Sequence, residues 1–193
     1  MKDNRPKIDE IIDAASRLFS RKGYKATSLN EIGDEVGLHK TSLFHYFKNK
    51  EEILTEIMDR SLAAYINILN YSVIDSNISA EEKFKIALER QIAVVCEYKD
   101  YINVYLNEIK SLSPKNRLRY NQKRRQYSKH FEELIREVQA DKNSHLFRSL
   151  DPKVVTFAVL GMCNWMLNWY KKDGLLTSKE ISDIFVKIIM AQW

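Results

Sequence analysis

The stretch Ser28–Lys50, SLNEIGDEVGLHKTSLFHYFKNK, predicts two short helices joined by a turn. Ser28 followed three residues later by Glu31 is a capping box, which starts the first helix. Gly37 can adopt the left-handed backbone conformation that ends this helix and turns the chain. Leu43 faces inward, so the basic, hydroxyl-bearing and aromatic residues around it remain outside. This is the pattern of a helix-turn-helix, whose second helix fits the major groove of DNA. An ordinary helical hairpin is the alternative.

The same residues resemble the N-terminal domain of TetR-family repressors. The matching positions are Gly23, Tyr24, Thr27, Ser28, Ile32, Gly37, Lys40 through Lys50, and Leu54. The resemblance implies that base edges are contacted by Lys40, Thr41 and Ser42, with Asn30 as a helper from the first helix. It implies that phosphates are held by Ser28, Phe44, His45, Tyr46 and Lys50. Phe44 stands where these repressors usually have tyrosine, and Thr41 where glycine is frequent.

Helical spacing of apolar residues recurs along the 193-residue chain, and the alternating runs typical of strands are scarce. We therefore expect an all-α protein. Residues 1–50 would form the helix-turn-helix DNA-binding domain, and residues 51–193 a helical ligand-binding and dimerisation domain. Capping patterns and prolines place helices at about 6–22, 50–71, 79–97, 100–111, 113–139, 151–172 and from 177 onward.

Basic residues are concentrated in two segments of this chain, whose net charge is +5. Residues 1–50 hold ten Lys/Arg against seven Asp/Glu, a net of +3, which fits contact with DNA phosphates. Residues 115–136 hold eight against two, a net of +6. The apolar stretch Val154–Trp169 is interrupted by Asn164 and Asn168, so no membrane span is expected. We predict a cytoplasmic protein with no membrane partner, in which Cys96 and Cys163 are reduced core thiols.

Catalytic chemistry has no support in the sequence. The four histidines show no metal-ligand spacing, and there is no phosphate-binding glycine loop or nucleophile elbow. We therefore expect no catalytic residues, no metal and no cofactor. A helical enzyme and a helical scaffold that binds only proteins remain the alternatives from other functional classes.

The last two predicted helices are rich in apolar residues. A helix that is apolar nearly all round has to be covered on all sides, and a second copy of the chain would supply that cover. The predicted dimer interface comprises Val155, Val159, Ile181, Ile184, Phe185 and Ile188. A homodimer also suits the predicted DNA-binding domain, because a protein with two-fold symmetry binds a palindromic operator. A monomeric core is the alternative.

Arg124 falls on an apolar stripe of the basic segment, between Tyr120 and Tyr127. A buried guanidinium needs an anionic partner, which would be an internal carboxylate such as Glu108 or an anionic ligand. Aromatic residues with a few convergent polar groups describe a ligand pocket as well as a core. The candidate ligand-binding residues are Tyr105, Arg124, Tyr127, Trp165 and Trp169.

A second resemblance concerns the C-terminal text LGMCNWMLNWYKKDGLLTSKEISDIF. It is similar to the end of TetR-type regulators that respond to acyl-CoA thioesters. The matching positions are Asn164, Trp165, Trp169, Tyr170, Asp173, Gly174, Leu176, Glu180 and Ile181. The resemblance implies a repressor released by an acyl-CoA, and the alternative is another hydrophobic or aromatic effector. Asn168 and the glycine-free loop Ala140–Leu150 depart from the pattern of these relatives.

Overall fold

The regular elements of the described chain are all helical, which confirms the all-α prediction. A computed structural model describes residues 5–68 and 78–191. Its α-helices are α1 (Arg5–Lys22), α2 (Leu29–Glu35), α3 (Lys40–Leu43), α4 (Lys50–Ile68), α5 (Ala80–Glu97), α6 (Lys99–Asn107), α7 (Pro114–Ala140), α8 (Pro152–Trp169) and α9 (Ser178–Met190). A short 3-10 helix, Ile109–Ser111, follows α6. No described helix is long and apolar enough to cross a membrane.

The structure confirms the predicted helix starts. Each of them depends on hydrogen bonds between residues close together in the sequence. Ser28 forms a complete capping box with Glu31 at the start of α2, and Thr177 forms one with Glu180 at the start of α9. The Ser79 hydroxyl accepts the Glu82 N–H at the start of α5. Each of these bonds satisfies a backbone group that the first helical turn leaves without a partner.

Two predicted helix ends differ from the structure. Helix α8 ends at Trp169 and not near Lys172, since Tyr170 turns to an extended conformation and its carbonyl accepts a hydrogen bond from Lys99 Nζ at 2.6 Å. The helix expected to reach Ser111 ends at Asn107 and continues only as the 3-10 helix. The predicted end of α4 near Tyr71 lies outside the described residues.

The chain divides into two compact units, which we describe separately. Unit one contains the residues up to Ala63 together with Asp100–Gln122. Its core joins side chains of α1 to α4 with residues from the later segment. The fully buried members include Ile11, Ile12, Ile32, Leu43, Ile53, Leu54, Ile102 and Tyr120. The helix-turn-helix therefore shares its core with a segment that lies more than fifty residues further along the chain.

Unit two contains Ala64–Lys99 and the residues from Lys123 onward. Helix α5 packs against α8 and α9. The buried side chains of this core include Phe84, Leu88, Ile92, Phe131, Ile135, Cys163 and Met166. Both cysteines are free thiols, and burial raises the pKa of Cys163 to about 12. Cys163 is thus an unreactive core thiol, while Cys96 is only half-buried.

Candidate DNA-binding surface and effector region

Two glycines build the turn between α2 and α3. Gly37 has φ +67°, the left-handed conformation predicted for it. The sequence alone does not identify Gly33 as a turn residue, yet a Cβ there would lie 2.4 Å from the Leu38 carbonyl oxygen. The Leu38 N–H in turn donates to the Gly33 carbonyl at 2.8 Å. Gly33 therefore sets how closely the turn approaches α2, and its only sequence signal is a glycine inside a short helix.

Most of the predicted DNA-contacting residues are exposed on α3, on the turn that follows it and around the start of α2. Leu43 and Phe47 are buried on the inner side. The exposed residues of the predicted set are Ser28, Asn30, Lys40, Thr41, Phe44 and His45, while Ser42, Tyr46 and Lys50 are half-buried. The hydroxyl of Ser28 accepts the Glu31 N–H, so this residue acts first as a helix cap. The face combines positive charge with hydrogen-bonding groups, as a surface for DNA requires.

Lys50 is engaged within unit one. Its Nζ donates to the carbonyl oxygens of Tyr24 at 2.7 Å and Thr27 at 2.6 Å. The same ammonium lies 4.3 Å from the centre of the Tyr24 ring. Burial lowers the pKa of Lys50, and the charge of Glu108 opposes that shift. Lys50 thus fastens the first turn of α4 to the loop that precedes α2, and its phosphate contact stays a prediction.

Glu108 holds the same loop from the other segment of unit one. Its carboxylate accepts the Tyr24 N–H at 3.0 Å and the Ser111 hydroxyl at 2.7 Å. We call the group formed by Tyr24, Thr27, Lys50 and Glu108 the Tyr24 junction. Both carboxylate oxygens of Glu108 are hydrogen-bonded within unit one. Among the described residues Arg124 forms no ion pair, and it is half-buried.

The candidate ligand-binding residues have different surroundings. Tyr105 is buried in unit one. In unit two, Tyr127 is half-buried on α7, with its ring 5.1 Å from that of Tyr65. Trp165 and Trp169 are 67% and 45% exposed on α8, so both indoles face outward from the described chain. Sequence periodicity placed these tryptophans on an apolar stripe but could not tell which side of α8 is covered.

Unit two contains a neutral polar network that the sequence alone does not predict. The Tyr127 hydroxyl donates to Gln91 Oε1 at 2.5 Å, and Gln91 Nε2 donates to Asn164 Oδ1 at 3.4 Å. The Tyr65 hydroxyl reaches the same Asn164 oxygen at 3.4 Å. The network joins four helices, and Gln91 and Tyr65 are buried. It places hydrogen-bonding groups in an otherwise apolar interior, next to the predicted ligand residue Tyr127.

The predicted dimer residues fall into two groups. Val155, Val159 and Ile181 are buried within unit two, so their apolar surface is already covered. Phe185 is half-buried, whereas Ile184 and Ile188 are 42% and 51% exposed. Further apolar side chains are exposed on α8. We define the exposed apolar set as Val154, Phe157, Trp165, Trp169, Ile184 and Ile188.

Comparison with known families decides the classification. The family model described as "Bacterial regulatory proteins, tetR family" matches residues 11–57. The description "Tetracyclin repressor-like, C-terminal domain" matches residues 77–193, more than half of the chain. The chain belongs to the TetR family. It is therefore a DNA-binding transcriptional regulator and not an enzyme, as expected from the sequence. Within the described residues no cluster of His, Cys, Asp or Glu would hold a metal ion.

Similar proteins extend over nearly the whole chain. The transcriptional repressor KstR2 of Mycolicibacterium smegmatis is 25% identical over 185 residues, covering 94% of this chain and 88% of that protein. The fatty acid metabolism regulator protein of Bacillus subtilis is 22% identical over 191 residues, covering 96% and 97%. The structure of AibR in complex with isovaleryl coenzyme A and operator DNA has a TM-score of 0.81 at 27% identity, covering 96% and 99%. The predicted resemblance to acyl-CoA-responsive members is thus confirmed.

Replacement of Lys50 by alanine tests the two roles of this side chain. Loss of the ammonium leaves the carbonyls of Tyr24 and Thr27 without their charged donor. The free energy of unfolding should therefore fall by about 1–2 kcal/mol, with water replacing part of the bonding. If Lys50 also contacts phosphate, all duplexes should bind more weakly, and the slope of log K against log[salt] should flatten by about one.

Urea denaturation and a salt titration of duplex binding measure these effects. Lys48→Ala is the matched control for stability, because Lys48 is exposed in the adjacent turn. Reduced stability with an unchanged salt slope would remove Lys50 from the DNA contacts. An unchanged stability would contradict the role of the Tyr24 junction.

Proposed function

We propose that this TetR-family regulator is a homodimeric repressor that binds a palindromic operator and is released by an acyl-CoA thioester. Operator binding is supported by the exposed face of α3 and the turn after it. The buried side chains of Leu43 and Phe47 anchor this face to the core. Lys40, Thr41 and Ser42 would contact base edges, and Asn30 would assist from α2. Ser28, His45, Tyr46 and Lys50 would hold phosphates, which positions the head without reading sequence.

The exposed apolar set supports the homodimer. Large apolar side chains on two helices of one unit would face water in a monomer, and such surfaces typically mark interaction sites. An isologous contact places the same helices of both protomers together, as four helices around a two-fold axis. The same axis would relate the two reading heads and match the symmetry of a palindromic operator.

The relatives support the acyl-CoA effector. AibR was solved with isovaleryl coenzyme A, and the Bacillus subtilis relative is named for fatty acid metabolism. In unit two, the acyl group would lie near Tyr127, where the rings of Tyr65 and Phe131 supply apolar surface. Trp165 and Trp169 of the same unit remain proposed contacts, and Tyr105 of unit one stays a sequence-based prediction. The alternative is a different hydrophobic or aromatic effector, which would need no phosphate-binding arginine.

The basic face of α7 in unit two would hold the phosphates of coenzyme A. Arg124 is half-buried and forms no ion pair within the described residues, so its guanidinium remains available to an anion. Charge-assisted hydrogen bonds from arginine to phosphate are strong and often bidentate. Release requires that the ligand binds the DNA-incompetent state more tightly, because equal affinity for both states shifts nothing.

The dimer is tested by the double substitution Ile184→Asp with Ile188→Asp. Both side chains are exposed in one protomer, so the fold should survive while two unpaired carboxylates oppose burial at the interface. Light scattering should then report 22.8 kDa, where the wild-type chain gives twice this mass. Ile66→Asp is the control, since Ile66 is 56% exposed on α4 outside the exposed apolar set. A folded double mutant that is still dimeric would place the interface elsewhere.

Arg124→Ala tests the effector assignment. Because the side chain is half-buried and has no ion-pair partner in the described part of the chain, we expect a change in unfolding free energy within about 0.5 kcal/mol. Affinity for palmitoyl-CoA should fall about tenfold or more, since a charge-assisted phosphate contact is lost, and operator affinity without ligand should not change. Free palmitate, which has no phosphates, should be insensitive to the substitution.

Isothermal titration calorimetry and thermal unfolding measure both quantities. Arg136→Ala is the matched control, because Arg136 pairs with Glu132 on the same helix at 2.6 Å. Undiminished palmitoyl-CoA affinity in Arg124→Ala would exclude this residue from the ligand site. Binding of aromatic acids but of no acyl-CoA by the wild-type chain would favour the alternative effector.

A further inference from the structure

Phe44 is a large apolar side chain on the outer surface of the reading head. It is 44% exposed, although it directly follows the buried Leu43. Its backbone remains helical, with φ −67° and ψ −14°, and its N–H donates to the Lys40 carbonyl at 3.3 Å. Phe44 therefore lies one helical turn after Lys40, on the face that points away from the core of unit one.

The surroundings of Phe44 favour DNA over an apolar protein partner. Its exposed neighbours on this surface are Lys40, Thr41 and His45, which carry charge or hydrogen-bonding groups. Within the described residues, α2, α3 and the turn between them contain no other exposed large apolar side chain. A single ring among basic and polar groups is too small an apolar area for a protein interface.

The chemistry of the ring decides what it can contact on DNA. Phenylalanine has no hydrogen-bonding group, so it cannot hold a phosphate as the family resemblance implied for this position. At the major-groove edges of the bases, thymine alone presents a methyl group, which makes apolar contacts with protein side chains. We propose that Phe44 reads a thymine in each operator half-site by packing its ring against the 5-methyl group. This inference rests on the proposed operator binding.

Deoxyuridine scanning of the operator tests the contact, because deoxyuridine differs from thymidine only by the missing methyl group. An operator is first selected from random duplexes with the full-length wild-type chain. Each thymine pair related by the palindrome is then replaced by deoxyuridine, and affinity is measured by fluorescence anisotropy. Loss of one buried methyl contact should weaken binding about fourfold per half-site. One symmetric pair of positions should therefore weaken wild-type binding by about sixteenfold.

The variants assign that methyl dependence to Phe44. In Phe44→Ala the thymine and deoxyuridine operators should bind equally at this pair of positions, while the effects at other positions persist. Phe44→Leu, which keeps apolar surface, should retain part of the preference. The salt slope should be unchanged in both variants, since no phosphate contact is removed. Leu175→Ala, at a fully exposed residue of unit two, is the control and should behave as the wild-type chain.

The outcomes separate this inference from the proposed function. Wild-type protein that selects no duplex would overturn the operator-binding proposal itself. Binding with the same methyl dependence in the wild-type chain and Phe44→Ala would overturn only the role of Phe44, as would a flattened salt slope in Phe44→Ala. If Phe44→Ala binds weakly, the thymine-to-deoxyuridine affinity ratio is measured at lower salt, where all duplexes bind more tightly. Circular dichroism confirms that the variant is folded.

Discussion

The position of the helix-turn-helix depends on the hydrogen bonds of the Tyr24 junction. Several backbone groups of the loop between α1 and α2 find their hydrogen-bond partners in other parts of unit one. Lys50 supplies a cation to the carbonyls of Tyr24 and Thr27, and Glu108 supplies an anion to the Tyr24 N–H. Charge-assisted bonds in a partly buried site are stronger than neutral ones. They fix where α2 begins, and hence where α3 presents its outer face.

The junction also explains why unit one includes a distant segment. Glu108 is 84 residues from Tyr24 in the chain, yet its carboxylate completes the hydrogen bonding of the loop. Asn103 Nδ2 adds bonds to the carbonyl and hydroxyl of Ser20 at the end of α1, and Tyr101 donates to Asp13. A displacement of Asp100–Glu108 would strain these bonds. The position of α1 and of the loop before α2 therefore depends on Asp100–Glu108.

The sequence predicted the local features of the fold and missed the long-range ones. Capping boxes, prolines at helix starts and the left-handed Gly37 depend on residues within a few positions, so they were visible in the text. Gly33 depends on the approach of the Leu38 carbonyl, and the role of Lys50 depends on carbonyls more than twenty residues away. The Gln91 network was missed because a polar residue on an amphipathic helix is ordinarily assigned to the solvent side. Periodicity gave the apolar stripes of α8 and α9 but not which residues unit two itself covers.

Release of the operator by ligand is tested by measuring operator affinity with and without acyl-CoA. The full-length chain is titrated against its selected operator by fluorescence anisotropy, alone, with saturating palmitoyl-CoA, and with coenzyme A as the control. Palmitoyl-CoA should weaken operator binding by about tenfold or more, within the usual range of allosteric coupling, while coenzyme A should have little effect. Palmitoyl-CoA that binds the protein and leaves operator affinity unchanged would contradict release by ligand.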